Sequence, residues 1–193
     1  MSPFHTSPKI GDMKSLCLIL VLLVVLFVWL YNRMVSLKKR AEGAWSDIDV
    51  QLKRRHDLVP SLVSCVQGYV EHEKNTLVNV TASRQSAARN QGTAERSHSE
   101  AALSQNLKSL ILLAENYPNL KANTTFLSLQ EKLTETENLI QNARRYYNAV
   151  ARDYNSLVQQ FPGIWLAKAA RFASLEFFQL DNQTEGAVQK VNL

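Results

Sequence analysis

The sequence is poor in the residues that interrupt helices and in those that crosslink chains. Its 193 residues contain six glycines and five prolines, which is few for a protein built from strands and tight turns. This scarcity favours long helices. The two cysteines, Cys17 and Cys65, both lie in apolar stretches. We therefore expect small packing residues rather than a disulfide or a nucleophile.

Sequence motifs that carry chemistry are also missing. The chain has no glycine-rich phosphate loop, no nucleophile elbow and no CxxC pair. After His72 and Glu73, the position where an HExxH motif needs its second histidine holds Thr76. We predict no catalytic residue, no metal site, no cofactor and no small-molecule substrate.

The positive charge is too small to indicate a nucleic-acid partner. Lys9, Lys14 and Arg33 against Asp12 account for +2 of the formal net charge of +5. The rest of the chain therefore carries only +3, well short of a basic binding surface. We predict that the protein binds no nucleic acid.

One long apolar run near the N-terminus dominates what is present. Leu16–Tyr31 holds 16 uncharged residues between Lys14 and Arg33, and two flanking polar residues extend the uncharged stretch to 18. As a helix this stretch is about 27 Å long, and a hydrocarbon core is about 30 Å thick. No small-residue cleavage site follows the run, and Cys17 stands at the wrong end for a lipoprotein signal. We predict an uncleaved spanning helix over 14–33 that contacts the lipid bilayer. A buried core helix is the alternative.

The flanks of the run bear on its orientation. Two basic residues precede it, and four follow it: Lys9 and Lys14, then Arg33, Lys38, Lys39 and Arg40. The positive-inside rule therefore favours a cytoplasmic C-terminal domain. Residues 1–13 contain two prolines and little to bury, so we expect a disordered leader, with Met13 as an alternative start.

The sequence after the run predicts two helices separated by a break. Apolar residues recur at steps of three and four in the first helix, which continues from the run: Met34, Leu37, Ala41, Ala44, Ile48 and Leu52. We expect a break near Asp57–Pro60, with Asp57 as N-cap, and a kink in one long helix is the alternative. The second helix carries Val63, Val66, Val70, Leu77 and Val80. Beyond Thr81 the sequence predicts either a frayed helix or a mobile loop.

Two more helices follow. The third starts near Ser97–Glu100 and is ended by Pro118. The fourth has a heptad seam at Phe126, Leu129, Leu133, Thr136, Ile140, Ala143, Tyr147, Val150, Tyr154, Leu157 and Phe161. Pro162 and Gly163 stop it, and the aromatic side chains that follow are expected to pack back: Trp165, Phe172, Phe177 and Phe178.

The predicted fold class is all-α, an N-terminal transmembrane helix followed by an antiparallel four-helix bundle. Four amphipathic stripes with short connections are typical of such a bundle. We expect a leader over 1–13, the spanning helix over 14–33, the bundle over 34–180 and a tail over 181–193. A long dimeric or trimeric coiled coil is the alternative, and the breaks at Pro118 and Pro162 disfavour it.

Several blocks of the sequence closely resemble the bacterial LemA family. They are AWSDIDVQLKRR at 44–55, DLVPSLV at 57–63, GYVEHE at 68–73 and ARRYYNAV at 143–150. The resemblance covers about residues 16–193. It implies a membrane segment followed by a helical bundle, no established enzymatic activity, and a place in the bacterial plasma membrane. Many relatives carry a lipoprotein-type signal, which this sequence lacks. Some magnetosome-associated members look like membrane-biogenesis factors.

A binding role is the function that these observations favour. We predict a single-pass scaffold or adaptor that binds an unknown protein partner or itself. The candidate partner-binding residues are Lys53, Arg54, Arg55 and Asp57, and ordinary surface charge with inter-helix ion pairs is the alternative reading. Membrane shaping by self-assembly is the second candidate function. An enzyme with an unrecognised site is the third.

Overall fold

The fold is all-helical in a computed structural model that describes residues 10–70, 73–90 and 92–178. Six helices follow one another: α1 (Ile10–Gln67), α2 (Lys74–Arg89), α3 (Thr93–Ala114), α4 (Pro118–Lys121), α5 (Thr124–Gln159) and α6 (Gly163–Ala169). No strand occurs in these ranges. The prediction of an all-α chain is therefore confirmed. Most of the expected leader and the C-terminal tail lie outside the described residues, although α1 already begins at Ile10.

Helix α1 joins the apolar run to an amphipathic segment without interruption. The predicted stripe is confirmed, since Met34, Leu37, Ala41, Ala44, Ile48 and Leu52 are all buried. One helix of the described residues is long and apolar enough to cross a membrane, and it is α1. The run and the segment beyond it are thus two parts of one 58-residue helix.

The predicted break at Asp57–Pro60 is wrong, because α1 continues through Pro60 to Gln67. Proline inside a helix costs about 3 kcal/mol. However, Pro60 lies on the exposed side, and Val59, Leu62 and Val66 around it are at most 2% exposed. Burying each such side chain contributes about 1.5–3 kcal/mol, so their burial outweighs the cost of the proline.

The remaining helix boundaries also differ in part from the predictions. The stripe assigned to a second helix is divided, because Val63 and Val66 lie in α1 while Leu77 and Val80 lie in α2. Of the two alternatives predicted beyond Thr81, the helix is found, because α2 continues to Arg89. Helix α3 ends at Ala114, before Pro118, and Pro118 instead begins α4 because its missing N–H is unpaired in a first turn anyway.

Contacts divide the chain into two compact units. Unit 1 comprises Met1–Arg40 and Arg152–Leu175, and unit 2 comprises Ala41–Ala151 and Glu176–Leu193. One core cluster of unit 2 consists of aliphatic side chains with one phenylalanine: Val59, Leu62, Val66, Leu77, Val80, Ala87, Leu103, Leu107, Leu110, Ala114, Leu120, Phe126 and Leu133. Unit 1 has a smaller core of Met34, Leu37, Tyr154, Val158 and Ala167.

The heptad seam of α5 is largely confirmed and fails at its end. Most of its residues are buried or half-buried, but Phe161 is 72% exposed. Helix α5 ends at Gln159, and the peptide bond between Phe161 and Pro162 is cis. The expectation that the later aromatic residues pack back holds for Phe178 and in part for Phe172. It is wrong for Trp165 and Phe177, which are 63% and 46% exposed.

Candidate functional site

The candidate partner-binding residues all lie on α1 in unit 2, where helical geometry separates them. Lys53, Arg54 and Asp57 are exposed, whereas only 1% of Arg55 is exposed. Residues three and four apart share a helix face, and Arg55 stands three residues after Leu52 and four before Val59, both of which are buried. Arg55 therefore belongs to the inward face and cannot offer its charge to a partner at the surface.

Two carboxylates on other helices pair with the Arg55 guanidinium. Nη1 lies 2.7 Å from Oε2 of Glu137 on α5, and it also donates to the hydroxyl of Ser104 on α3. Nη2 pairs with the carboxylate of Glu100 and donates to the Glu100 carbonyl at 3.3 Å. The guanidinium thus connects α1, α3 and α5, as its fixed fork of donors permits.

A histidine completes this network. His56 Nε2 lies 3.0 Å from Oε1 of Glu100, and the His56 carbonyl accepts a hydrogen bond of 2.7 Å from Nε of Arg84 on α2. Burial opposes the charged form of Glu100. The hydrogen bond from His56 and the charges of Arg55 and His56 outweigh it, so the pKa of Glu100 lies below its ordinary value. Glu100 stays ionised and is poorly suited to act as a general acid near neutral pH.

The geometry of this network suits structure better than chemistry. A buried ion pair is strongly destabilised when one partner is removed, because the other charge is left without compensation. In the part of the chain that the structure describes, no group of three or more histidine, cysteine or acidic residues is placed to hold a metal ion. We name the set Arg55, His56, Glu100 and Glu137 the buried ion network.

A second cluster in unit 2 gathers around Trp45 of α1. Its ring lies 5.2 Å from the ring of Tyr147, edge to face, and 5.7 Å from the ring of Phe178. The Arg144 guanidinium lies 4.5 Å above the Phe178 ring. Arg96 of α3 pairs with Asp49 at 2.8 Å. The conspicuous AWSDID and ARRYYN blocks therefore supply inter-helix contacts.

Helix α5 holds the final described residues through side-chain hydrogen bonds. The Tyr147 hydroxyl donates to the Glu176 carbonyl at 2.8 Å, and Asn148 both donates to and accepts from the backbone of Phe178, at 3.0 and 2.9 Å. Burial, with a smaller contribution from the charge of Glu176, raises the pKa of Tyr147. These hydrogen bonds attach the end of the segment after α6 to α5, although the described part of that segment has no regular secondary structure.

A groove beside the buried ion network had no counterpart in the predictions. It has a volume of about 480 Å³ and lies between α3 and α5 in unit 2. Its walls are mostly apolar, with Leu107, Ile111, Leu112 and Leu133, and it includes Ser104 and Glu137, which contact Arg55. Sequence periodicity cannot reveal it, because it depends on how far apart two helices lie.

The remaining acidic and histidine residues of the matched blocks do not converge. Asp47 and Asp57 are exposed, and Asp49 is occupied by Arg96. Glu71 and His72 lie outside the described residues. Among the described residues, the acidic and histidine side chains that do converge are those of the buried ion network, where His56, Glu100 and Glu137 meet around Arg55.

Comparison with known proteins identifies a family and several relatives that the chain resembles. The model of the LemA family matches residues 44–192 of this chain. Magnetosome protein MamQ 2 of Paramagnetospirillum magneticum is 24% identical over 199 residues, which cover 88% of this chain and 73% of that protein. Magnetosome protein MamQ of Magnetospirillum gryphiswaldense is 23% identical over 198 residues, covering 87% and 73%.

Proposed function

Because the chain belongs to the LemA family, we propose that it is a single-pass membrane protein whose helical domain is a non-catalytic scaffold or adaptor. At the level of the family, the match and the apolar helix fit a membrane-associated, non-catalytic role. The observation that carries the proposal is α1 itself. One uninterrupted helix links a segment of membrane length to a packed helical core.

The exposure of the apolar run supports a membrane span. Between Leu16 and Trp29 nearly every large apolar side chain is exposed, with values such as 65% for Leu16 and 60% for Trp29. Each such side chain left in water forgoes about 1.5–3 kcal/mol, so a dozen of them require an apolar surrounding. The lipid bilayer supplies such an apolar surrounding without any protein neighbour. Trp29 and Tyr31 stand at the C-terminal end of the run, and aromatic belts lie at the ends of membrane-spanning segments.

In unit 2 we propose that the amphipathic part of α1, with α2, α3 and α5, forms an antiparallel four-helix bundle. The connection between α2 and α3 is three residues long, and the one between α3 and α5 contains only the short α4. Short connections place successive helices side by side and antiparallel. The buried stripes of all four segments meet in one apolar cluster, as a bundle requires.

In a scaffold, the two sides of α1 would have different roles. The inward side uses Arg55 to hold the helices together. The outward side offers Lys53, Arg54 and Asp57 to solvent, and these are the residues that we propose bind a protein partner or a second copy. The basic flank after the run supports a cytoplasmic position for this surface, at the bacterial plasma membrane.

Crosslinking in cells tests this proposal. Lys53→Glu with Arg54→Glu is expected to abolish a discrete crosslinked species that the unaltered full chain forms. Lys132→Glu, an exposed position on α5, is the matched control and leaves that species intact. Mass spectrometry identifies the partner. A crosslink pattern that is the same in all variants would count against the proposed surface.

Labelling of an introduced cysteine tests the side of the membrane. In a chain with Cys17→Ala and Cys65→Ala, Lys53→Cys is expected to resist a membrane-impermeant maleimide in intact cells. It is expected to react once the cells are opened. Labelling in intact cells would place the helical domain on the outside.

Membrane shaping by self-assembly is the second candidate, and the likeness to magnetosome proteins favours it. It predicts oligomers and altered curvature when the pure full-length protein is reconstituted in liposomes. Spherical liposomes that carry only monomer would eliminate it.

A further inference from the structure

Two aromatic rings stand exposed at the corner where α5 turns into α6, within unit 1. Phe161 is 72% exposed and Trp165 is 63% exposed. Their rings meet edge to face with centroids 4.9 Å apart. A preorganised aromatic pair on a protein surface leaves a large apolar area in water, which marks a site of contact with something else.

This corner packs against α1 where the apolar run ends. The rings of Tyr31 and Phe172 lie 5.8 Å apart, and the Met34 methyl lies 3.1 Å from where a Cβ on Gly163 would stand. Leu37 shares the same core with Ala167 of α6. Since Tyr31 is the last residue of the apolar run, α6 lies beside the segment of α1 that leaves the membrane.

Exposed basic side chains lie on the same two segments of unit 1. Lys168 and Arg171 are exposed on and just after α6, and Arg33 and Lys38 are exposed on the facing stretch of α1. Aromatic rings that are interleaved with cations match the headgroup layer of a bilayer, which is apolar on one side and carries phosphate on the other.

The turn after α6 shows that Arg171 is not required by the backbone. Arg171 has φ 56°, the left-handed region that glycine usually fills. The turn closes with hydrogen bonds from Phe172 N to the Ala167 carbonyl at 2.9 Å and from Arg171 N to the Lys168 carbonyl at 3.4 Å. This is a helix-ending motif that works best without a side chain at that position. The turn itself therefore gives no structural reason for an arginine at this position.

We propose that this corner, made of Phe161, Trp165, Lys168 and Arg171, is a second membrane contact that docks into the anionic headgroup layer of the bilayer that α1 crosses. Phe161 and Trp165 enter the interface, and Lys168 and Arg171 bind lipid phosphates. The contact holds unit 1 to the membrane surface in addition to the span. The inference rests on the proposed function, because it assumes that α1 spans the bilayer.

Tryptophan fluorescence of the full chain tests the aromatic part. Trp29→Phe with Trp45→Phe leaves Trp165 as the only tryptophan, and the protein is reconstituted in vesicles of phosphatidylcholine and phosphatidylglycerol at three to one. Replacing the phosphatidylcholine by chains brominated near the headgroup is expected to quench Trp165 at least twofold. Bromine near the chain ends is expected to quench it less.

Two matched chains separate this inference from the proposed function. The variant that retains only Trp29 reports the span and is expected to be quenched. The variant that retains only Trp45 is a negative control, since Trp45 lies 14 residues beyond Tyr31 on the same helix, roughly 21 Å further along. Quenching of Trp29 without Trp165 overturns the second contact and leaves the span. Quenching of neither overturns both.

Charge reversal tests the basic part. Each basic residue near an anionic surface strengthens binding by about fivefold, so Lys168→Glu with Arg171→Glu is expected to lower Trp165 quenching at least twofold in the anionic vesicles. Arg145→Glu with Lys132→Glu, exposed positions in unit 2, is the control and is expected to leave it unchanged. Equal quenching in all three chains would overturn the role of the two cations.

A second copy of the chain is the competing occupant of the corner. It predicts a Trp165 emission that shifts on dilution of the protein in the vesicles and is insensitive to bromine. That result would overturn the lipid contact. Arg171→Gly removes the charge at a φ that glycine adopts freely, so the turn is expected to persist while Trp165 quenching falls in the anionic vesicles. Quenching equal to that of the unaltered chain would overturn the role of Arg171.

Discussion

The two ends of α1 belong to one helix, but their side chains differ in what surrounds them. Toward the N-terminus, Leu23 and Val24 are 49% and 54% exposed in a run with apolar residues on every side. Further along, Ile48 and Leu52 are fully buried and recur with a helical period. A period appears only where one side of a helix faces protein and the other faces water. Its absence in the run indicates the same kind of surrounding on all sides, which we propose is lipid.

The two ends of α1 differ even more in their charged residues than in their exposure. The run has no charged residue, whereas the other end holds Arg55 at 1% exposure among Glu100 and Glu137. A buried charge is tolerated when partners from neighbouring helices surround it, and a lone span has no such neighbours. The two ends therefore predict opposite tolerance for an arginine, and four measurements test or refine that contrast.

The largest effect is expected from Arg55→Leu, which leaves Glu100 buried without its cation. The cost should be about 3–5 kcal/mol, which lowers the midpoint of thermal unfolding by roughly 10 °C. Circular dichroism of the full chain in detergent measures it. Arg54→Leu on the exposed side is the control and should stay within about 0.5 kcal/mol. Adding Glu100→Leu to Arg55→Leu should restore most of the loss. If the double variant is no better, the two charges are not coupled.

An arginine placed in the other end comes next. Leu23→Arg should weaken membrane insertion by about 2.5–3.5 kcal/mol, the cost of an arginine at the centre of a span. The fraction of protein that resists carbonate extraction measures insertion. Val50→Arg is made in the same helix at a position that is 61% exposed, and it should leave extraction unchanged. Equal extraction of both variants would mean that the run is not a span.

Substituting two glycines by alanine compares a closely packed position with an open one. A Cβ on Gly163 would lie 2.1 Å from the Leu157 carbonyl oxygen, so Gly163→Ala must shift the start of α6 and should destabilise unit 1 by about 1–3 kcal/mol. Gly43 in α1 has nothing within 4 Å of such a Cβ, so Gly43→Ala should stabilise the helix by about 0.5–1 kcal/mol. Thermal unfolding measures both. If both substitutions changed the unfolding midpoint in the same direction, the close packing at Gly163 would be contradicted.

The smallest effect is expected from pH. The pKa of Glu100 is lower in the folded chain, so the folded state releases this proton more readily than the unfolded state. The resulting stability is complete above the ordinary carboxyl pKa, about 4.3, and is lost as pH falls through the lower folded value. Unfolding midpoints measured from pH 6 to pH 3 should therefore fall less steeply in Glu100→Gln than in the unaltered chain. Parallel curves would remove Glu100 from the acid response.

Periodicity alone was enough to predict much of the fold. The stripe of α1 from Met34 to Leu52 and most of the α5 seam are buried as predicted, because repeats of three and four residues report one face of a helix directly. The break at Pro60 was wrong for a definable reason. A local rule assigns a cost to the proline, and the burial that offsets this cost comes from other parts of the chain.

The candidate site was predictable only in part. Arg55 was identified as a charged residue, but its place inside was not. The signal was present, since Arg55 continues the spacing of Ile48 and Leu52, and Glu100 precedes Leu103 and Leu107 at the same spacing. Charges that are in register with an apolar stripe are candidates for buried pairs. Which carboxylate meets which cation depends on the packing of separate helices, and no spacing along one chain encodes it.

The sequence by itself determined an all-helical chain with one apolar run of membrane length, because helix periods and apolar length are local properties. Only the tertiary structure decided that Arg55 is enclosed by Glu100 and Glu137, and that Phe161 and Trp165 stand exposed beside the end of the run. Ion pairs between helices, and the exposure of a side chain at a corner, depend on residues far apart in sequence. Their partners become neighbours only once the chain has folded.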